Sequence, residues 1–211
     1  MKAVIFDLDG VLVFTDKFHY QAWKKMADKM GIYFDETINN RLRGVSRRES
    51  LEIILERYEG APLSEKEKED LMEYKNDYYK ELLKTMSPAD VTEDTRNALK
   101  LLREQGHKLA IGSSSKNTKF ILKQVALDDM FDAISDGTNI TRSKPDPEVF
   151  EKAAQFLGES YDNCVVVEDA YAGIDAAKAA GMTAVGIGDA TSYDKCDYKI
   201  TSLMDLTKLF N

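Results

Sequence analysis

The chain has 211 residues, of which 43% are hydrophobic and 31% are charged, and its formal net charge is −8 at pH 7. This length and composition exclude a disordered chain and indicate a globular, soluble protein of one domain, or of one domain with a small insert. The acidic balance disfavours a broad nucleic-acid surface, although a local positive pocket could still bind phosphate.

The first predicted element is a buried parallel strand, because residues 3–6 form an apolar, largely β-branched or aromatic run. Asp7, Asp9 and Gly10 follow it. Ligands bind beyond the carboxyl ends of strands in an open α/β sheet, so both acids would lie at a binding position if this strand is central. Two close carboxylates repel unless they share a cation, and Mg²⁺ prefers oxygen ligands. The alternative is a strand that ends in an ordinary charged turn.

Residues 15–86 have helical and not strand patterning, which predicts a helical insert after the first strand. Ser46 with Glu49, and Ser64 with Glu67, have the spacing of capping boxes. The predicted helices cover residues 17–30, 35–42, 48–58 and 65–85.

Strands and helices alternate again from Asp94 onward, which predicts an α/β fold with a doubly wound parallel sheet. We therefore expect a Rossmann-like core domain of residues 1–14 and 87–211, with an inserted helical domain of residues 15–86. The predicted strands cover 108–112, 131–135, 164–167, 183–187 and 199–200, and the predicted helices with definite bounds cover 94–105, 148–157 and 172–180.

Two further predicted strand ends carry groups suited to phosphate. Ser113 and Ser114 follow a strand and open a helix, where hydroxyls and free backbone N–H groups can hold an anion. The alternative is an ordinary N-cap. Lys144 is restricted by Pro145 and could neutralise phosphate charge, although most lysines in turns are surface residues.

The strand at 164–167 ends in a pair of acids, Glu168 and Asp169. Together with Asp7 and the Asp9 carbonyl, they could complete a Mg²⁺ site. The alternative is a strand-to-helix junction in which Asp169 caps the helix.

No apolar run reaches 18 residues, so we expect no transmembrane helix. Met1 and Lys2 lead into the first strand without a signal-peptide pattern. Cys164 and Cys196 lack metal or redox spacing, and we expect plain thiols. These features predict a cytoplasmic protein.

Four motifs, in this order and each at a predicted strand end, resemble those of the haloacid dehalogenase superfamily of phosphotransferases. They are Asp7-Leu8-Asp9-Gly10-Val11, Ser113, Lys144-Pro145 and Glu168-Asp169. The resemblance covers the whole chain. It implies that Asp7 is a nucleophile that becomes aspartyl phosphate and that Asp9 is the general acid/base.

Within this superfamily the chain resembles the β-phosphoglucomutase family, which interconverts β-D-glucose 1-phosphate and β-D-glucose 6-phosphate. This resemblance implies Mg²⁺ as cofactor and β-D-glucose 1,6-bisphosphate as primer and intermediate. The segments that carry it are Asp7–Val11, Thr15, His19–Lys24, Gly44–Arg47, Lys75–Asp77, Ser87–Val91, Ser113–Asn117 and Lys144-Pro145.

The resemblance also implies roles for individual residues. Asp7, Asp9, Glu168 and Asp169 would serve the metal. Ser113, Ser114 and Lys144 would hold the transferring phosphoryl group, and Arg47 would grip the distal phosphate with Ser115, Lys116 and Asn117. Gly44 and Val45 would line the sugar site, while His19 and Lys75 would steady Asp9 and the closed insert. His19 could equally be a packed or surface histidine, because it lies on a predicted helix.

Two positions depart from the common family pattern. Val13-Phe14 stands at the strand exit where family members often have a polar residue next to Asp, and Phe14, near the hinge between insert and core, could alter closure of the insert. Ala170-Tyr171 differs from the commonest form beside the metal ligands.

Three functions stay open at this point: the mutase, a Mg²⁺-dependent phosphatase of small sugar phosphates, and a catalytically silent binding protein. The intact Asp7, Asp9, Lys144 and Asp169 argue against the third. We expect sugar phosphates as the partners, no nucleic acid, no membrane, and a monomer.

Overall fold

The computed structural model describes residues 2–42 and 45–210. The chain divides into two compact units, one made of Met1–Phe14 with Met86–Asn211 and the other of Thr15–Thr85. We call them the sheet unit and the helical unit. The predicted boundary after residue 86 lies one residue too late, because Met86 belongs to the sheet unit.

The described part of the helical unit contains helices and no strand. Both predicted capping boxes are present: Ser46 Oγ accepts from the Glu49 N–H at 3.2 Å, and Ser64 Oγ accepts from the Glu67 N–H at 3.3 Å. Apolar side chains from all four helices form one buried cluster around Trp23. The helices are α1 (Asp16–Lys29), α2 (Glu36–Asn40), α3 (Arg47–Leu55) and α4 (Glu65–Leu83).

The described part of the sheet unit contains one sheet of six parallel strands. They are β1 (Ala3–Phe6), β2 (Lys108–Gly112), β3 (Ala133–Ser135), β4 (Cys164–Glu168), β5 (Thr183–Gly186) and β6 (Tyr198–Lys199). Their order is β3-β2-β1-β4-β5-β6. The prediction of a doubly wound, parallel α/β sheet is confirmed.

Strand β1 is central, since β2 and β4 pair with its two edges, and Phe6 is level with Ile111 and Val167. All four β1 side chains are buried, which explains their uniformly apolar character. The chain builds outward from β1 to β3 on one side and from β4 to β6 on the other. The direction therefore reverses next to β1, and ligands bind at such a switch point beyond the carboxyl ends of the strands.

The bounds of four strands differ from the prediction. Strand β4 ends one residue later than predicted, at Glu168, and β5 ends one residue earlier, at Gly186. Strand β3 begins at Ala133 and not at Phe131, because the Asp132 side chain accepts the Leu109 N–H at 2.8 Å in place of a strand carbonyl. The last strand is Tyr198–Lys199, one residue earlier than predicted.

The remaining helices belong to the sheet unit, and a large apolar cluster lies between the sheet and helices α7 and α8. The helices are α5 (Glu93–Glu104), α6 (Thr118–Gln124), α7 (Glu148–Leu157), α8 (Tyr171–Ala179) and the short α9 (Leu206–Leu209), which was not predicted. Among residues 2–42 and 45–210, no helix is both long and apolar enough to cross a membrane.

Candidate active site

Asp7 directly follows the central strand and is largely buried, with 7% of its surface exposed. Its N–H donates to the Val167 carbonyl at 3.0 Å, so the β1–β4 ladder continues to this residue. Because β1, β2 and β4 are in register, the residues that follow them, Asp7, Ser113 and Asp169, come out at the same edge of the sheet. The prediction that Asp7 lies at the end of a central strand is confirmed.

Lys144 joins two of the predicted acids. Its Nζ lies 2.5 Å from Asp7 Oδ1 and 2.5 Å from Glu168 Oε1. Burial alone would lower the pKa of Lys144, but the charges of Asp7 and Glu168 raise it above its ordinary value. Lys144 is therefore a fixed ammonium beside the predicted nucleophile and not a surface lysine.

The loop that carries Lys144 is tied to the first turn of α7. Glu148 Oε2 accepts from the N–H groups of Thr141 at 3.0 Å and Arg142 at 2.8 Å. The peptide bond between Lys144 and Pro145 is cis. These contacts place the ammonium independently of any ligand.

Three carboxylates form a compact group at the same edge of the sheet. Ligand oxygens of Asp7, Glu168 and Asp169 all lie within 4.8 Å of one another. Burial raises the pKa of Asp169 to about 8, and the neighbouring charges of Glu168 and Asp7 add to this. Burial likewise raises the pKa of Glu168 against the opposing effect of Lys144.

The donor set of this group suits a hard divalent cation. Three carboxylates face one ammonium, which leaves an excess of negative charge, and all three offer only oxygen. Mg²⁺ takes such ligands and would relieve their mutual repulsion. Among the described residues, the Asp9 side chain does not belong to this group of carboxylates.

Two glycines bring backbone against these acids. A Cβ at Gly10, whose φ is +85°, would lie 1.9 Å from Asp169 Oδ2, and a Cβ at Gly173 would lie 1.9 Å from Glu168 Cδ. Any larger residue would displace a carboxylate. The sequence contains both glycines, but it does not indicate which acids they touch.

The interpretation of Asp169 as a helix cap is wrong. The N-cap of α8 is Ala170, and no side chain caps the helix. Glu168 Oε2 instead accepts from the Ala170 N–H at 3.0 Å. The Asp169 side chain does not cap the helix and belongs to the group of three carboxylates.

Residues 113–117 form a loop, and the prediction that Ser113 opens a helix is wrong because α6 begins only at Thr118. Ser113 Oγ accepts from the Ser115 N–H at 3.2 Å, and Ser115 Oγ accepts from the Asn117 N–H at 3.2 Å. The loop is therefore held by its own hydroxyls, and neither serine is the N-cap of α6.

Ser114 offers a hydroxyl to a ligand in this loop. Within the part of the chain that the structure describes, Ser114 Oγ is buried and has no hydrogen-bond partner. Gly137 packs against the loop so closely that a Cβ there would lie 2.4 Å from the Ser114 carbonyl oxygen. Lys116, the predicted distal-phosphate ligand of this loop, is exposed.

A second group of predicted site residues lies in the helical unit. Lys75 Nζ is 2.9 Å from His19 Nδ1, and the His19 ring stacks on Tyr79 with 4.2 Å between centroids. Tyr79 in turn donates to Thr15 Oγ1 at 3.2 Å. His19 and Lys75, which share one predicted role, are therefore in direct contact.

His19 is a neutral acceptor in this group. Burial lowers its pKa well below the ordinary value, and the charges of Lys75 and Arg47 lower it further. Since the Lys75 ammonium can only donate, Nδ1 accepts and the ring proton resides on Nε2. His19 is thus held by a stacked ring and a hydrogen bond, as a packed histidine is, and it is not a surface histidine.

Arg47 is the first residue of α3, and its Nη2 donates to Asn76 Oδ1 at 2.8 Å. Val45 is exposed, whereas Gly44 lies outside the described residues. Asn76 and Tyr79 were not predicted as site residues. Asn76 stands in a segment that carries the family resemblance, which is the signal that could have identified it.

Each of the two departures from the family pattern has an exposed aromatic residue, whereas Val13 is buried and Ala170 is half-buried. Phe14 has 65% of its surface exposed and ends the first segment of the sheet unit. Tyr171 is also exposed, stacks on Tyr193 with 4.3 Å between centroids, and contacts Ser192 Oγ at 2.6 Å. Neither substitution removes a side chain from the acidic group.

The chain is similar in sequence to known proteins. The sequence model of the haloacid dehalogenase-like hydrolases matches residues 1–181. The chain is 43% identical over 209 residues to the β-phosphoglucomutase of Bacillus subtilis, covering 98% of this chain and 92% of that protein. It is 33% identical to a phosphorylated carbohydrates phosphatase of Thermotoga maritima, covering 86% and 82%.

Among solved structures, the fold matches a crystal structure of β-phosphoglucomutase from Clostridium difficile with a TM-score of 0.89 and 37% sequence identity. The match covers 98% of this chain and 93% of that one. The likeness therefore extends over both units of the chain.

Proposed function

The chain belongs to the haloacid dehalogenase-like hydrolase family, and we propose that it is a Mg²⁺-dependent β-phosphoglucomutase. In this proposal it interconverts β-D-glucose 1-phosphate and β-D-glucose 6-phosphate through β-D-glucose 1,6-bisphosphate. The relatives from B. subtilis and C. difficile, both described as β-phosphoglucomutases, support this substrate.

The observation that carries the reaction type is the contact of Lys144 Nζ with Asp7 Oδ1 at 2.5 Å. A carboxylate nucleophile needs no general base, but it repels a negatively charged phosphate. A fixed ammonium at this position lowers that repulsion and stabilises charge as the phosphoryl group moves. Asp7 is thus equipped to attack phosphorus.

We assign the two steps of transfer to Asp7 and Asp9. An Asp7 carboxylate oxygen bonds to one phosphorus of β-D-glucose 1,6-bisphosphate, the bond from that phosphorus to its sugar oxygen breaks, and Asp9 gives that oxygen a proton, which releases a sugar monophosphate. In the second step Asp9 takes the proton from another sugar hydroxyl, whose oxygen takes the phosphoryl group from Asp7. The protein is a phosphoprotein between the two steps.

Asp7, Glu168, Asp169 and the Asp9 carbonyl would hold Mg²⁺ in this proposal. The bound ion would offset negative charge on the phosphoryl group. Ser113, Ser114 and Lys144 would bind that group, and the unpartnered Ser114 hydroxyl supports this role.

The helical unit would serve as a cap that limits access of water to phosphorylated Asp7. Arg47 would grip the distal phosphate, with Ser115, Lys116 and Asn117, because a guanidinium can bind phosphate through two N–H groups. Gly44 and Val45 would line the sugar site. His19 and Lys75 would steady Asp9.

We expect such an enzyme to act as a monomer in the cytoplasm. Charged sugar phosphates do not cross membranes unaided, which favours a cytoplasmic enzyme.

The direct test couples glucose 6-phosphate formation to its dehydrogenase, starting from β-D-glucose 1-phosphate with Mg²⁺. The assay is run with and without bisphosphate primer, and free phosphate is measured in parallel. Primed isomerisation with little phosphate release is expected. Phosphate release without isomerisation would overturn the mutase.

The second candidate is a phosphatase of small sugar phosphates, favoured by the T. maritima relative. The same core would act, with water as the acceptor. Arg47→Ala separates the two functions. We expect it to reduce mutase turnover much more than hydrolysis of an aryl phosphate, and equal losses would count against a distal phosphate at Arg47.

A further inference from the structure

Arg47 and Arg48 are neighbours on α3, but they differ in the charge of the groups that they contact. Arg48 pairs with two carboxylates, Glu52 at 2.9 Å and Glu65 at 2.6 Å. Within the described part of the chain, Arg47 forms no ion pair. The acids of α3 are engaged elsewhere, since Glu49 accepts from the Ser46 N–H at 2.8 Å.

The polar partner of Arg47 is neutral. Its Nη2 donates to the amide oxygen of Asn76 at 2.8 Å. An amide oxygen orients a guanidinium, but it does not cancel its charge. Arg47 is also half-buried, and burial lowers its pKa from the ordinary value. A half-buried charge without an opposite charge is costly, and it is suited to bind an anion.

The two residues come from different helices, Arg47 from the start of α3 and Asn76 from the middle of α4. One hydrogen bond therefore fixes the direction of a long, flexible side chain. It uses one of five guanidinium N–H donors and leaves the others for a ligand.

We infer that Asn76 is a positioning residue that holds Arg47 through a neutral oxygen and so keeps its full charge available to the distal phosphate of a phosphorylated sugar. This inference rests on the proposed function and extends it to the choice between substrates with one and with two phosphates. The neutral amide is the essential feature, because an aspartate there would pair with Arg47 and compete with the ligand.

The test uses Asn76→Ala, which removes the acceptor, and Asn76→Asp, which adds a competing charge. Asn97→Asp, at an exposed position of α5, is the matched control for the added charge. Kinetics are compared for β-D-glucose 1,6-bisphosphate and for p-nitrophenyl phosphate, which has no distal phosphate.

We expect Asn76→Ala to raise the KM for the bisphosphate by about tenfold, the effect of losing one hydrogen bond to a charged group. Asn76→Asp should raise it further. Neither variant should change kcat/KM for p-nitrophenyl phosphate, and Asn97→Asp should resemble the wild type with both substrates. Equal losses on both substrates, or Asn76→Asp behaving no worse than Asn76→Ala, would overturn the inference.

Calorimetric binding of the bisphosphate in an Asp7→Asn background keeps this test separate from the proposed function. Weaker binding when Asn76→Ala is added supports the inference even if the wild type proves to be a phosphatase. Unchanged binding overturns it, whatever reaction the wild type catalyses.

Discussion

At the scale of single residues, the acidic group beyond β1 depends on the absence of a side chain at Gly173. A Cβ there would lie 1.9 Å from Glu168 Cδ. We predict that Gly173→Ala displaces Glu168 and weakens Mg²⁺ binding by about 10- to 100-fold, the range for residues that orient metal ligands. The measurement is a calorimetric Mg²⁺ titration.

Gly60→Ala is the matched control for this change, since the added Cβ would meet only the movable ring of Tyr58. It should bind Mg²⁺ as the wild type does. Unchanged Mg²⁺ affinity in Gly173→Ala would show that Glu168 does not serve the metal.

The same scale shows what a sequence can and cannot predict. Asp7 and Asp169 could be identified because each stands in a short motif at a strand end. Lys144 could be identified from its Lys-Pro motif, although it lies in the loop before α7, nine residues after β3, and not at a strand end as predicted. The contact of Lys144 with Glu168 could not, since it joins residues 24 positions apart through the packing of a loop. Asn76 was missed because its role depends on its hydrogen bond with Arg47. That contact joins two helices and cannot be predicted from the residue type alone.

At the scale of elements, α3 and α4 begin with the same kind of capping box but differ in the residues of their first turns. Arg47 is the first residue of α3, whereas α4 begins with exposed acids and lysines. We predict that Ser46→Ala and Ser64→Ala each reduce stability by about 1 kcal/mol, the usual cost of losing an N-cap. Only Ser46→Ala should also raise the KM for β-D-glucose 1-phosphate, because it loosens the turn that carries Arg47.

Urea unfolding and steady-state kinetics of both variants check this prediction. A raised KM in Ser64→Ala, or an unchanged KM in Ser46→Ala, would contradict the prediction that the N-cap of α3 positions Arg47 for substrate binding.

The elements that could be predicted were those whose ends are marked by residues next to them in the sequence. Ser46 and Ser64 were predicted as the N-caps of α3 and α4, and both caps are confirmed, although α3 begins at Arg47, one residue earlier than predicted. The start of β3 was missed because it depends on Asp132 bonding to Leu109 of another strand. Helix α9 has only four residues, which is too short to show the hydrophobic periodicity from which a helix is predicted.

At the scale of the whole molecule, the neutral state of His19 makes stability depend on pH. The pKa of His19 is lowered in the folded protein by burial and then by the charges of Lys75 and Arg47. As the pH falls, His19 therefore takes up a proton at a higher pH in the unfolded chain than in the folded one. The contribution of His19 is therefore complete above about pH 6.5, the pKa of a free histidine, and is lost as the pH falls below it. We predict that His19→Asn, which keeps an acceptor but does not titrate, loses less stability than the wild type between neutral and mildly acidic pH.

Denaturant unfolding monitored by fluorescence checks this prediction, because Trp23 is the single tryptophan and lies in the buried cluster of the helical unit. Parallel pH profiles for the two proteins would show that His19 is not held neutral.

The central claim is that Asp7 carries the phosphoryl group from one sugar oxygen to another. It is tested most directly by incubating the protein with ³²P-labelled β-D-glucose 1,6-bisphosphate and Mg²⁺, mapping the labelled peptide, and then adding unlabelled β-D-glucose 1-phosphate. We predict label on the peptide that contains Asp7, its transfer to sugar bisphosphate, and no label in Asp7→Asn. Label on a different peptide would contradict the role of Asp7, and label released only as inorganic phosphate would contradict the mutase.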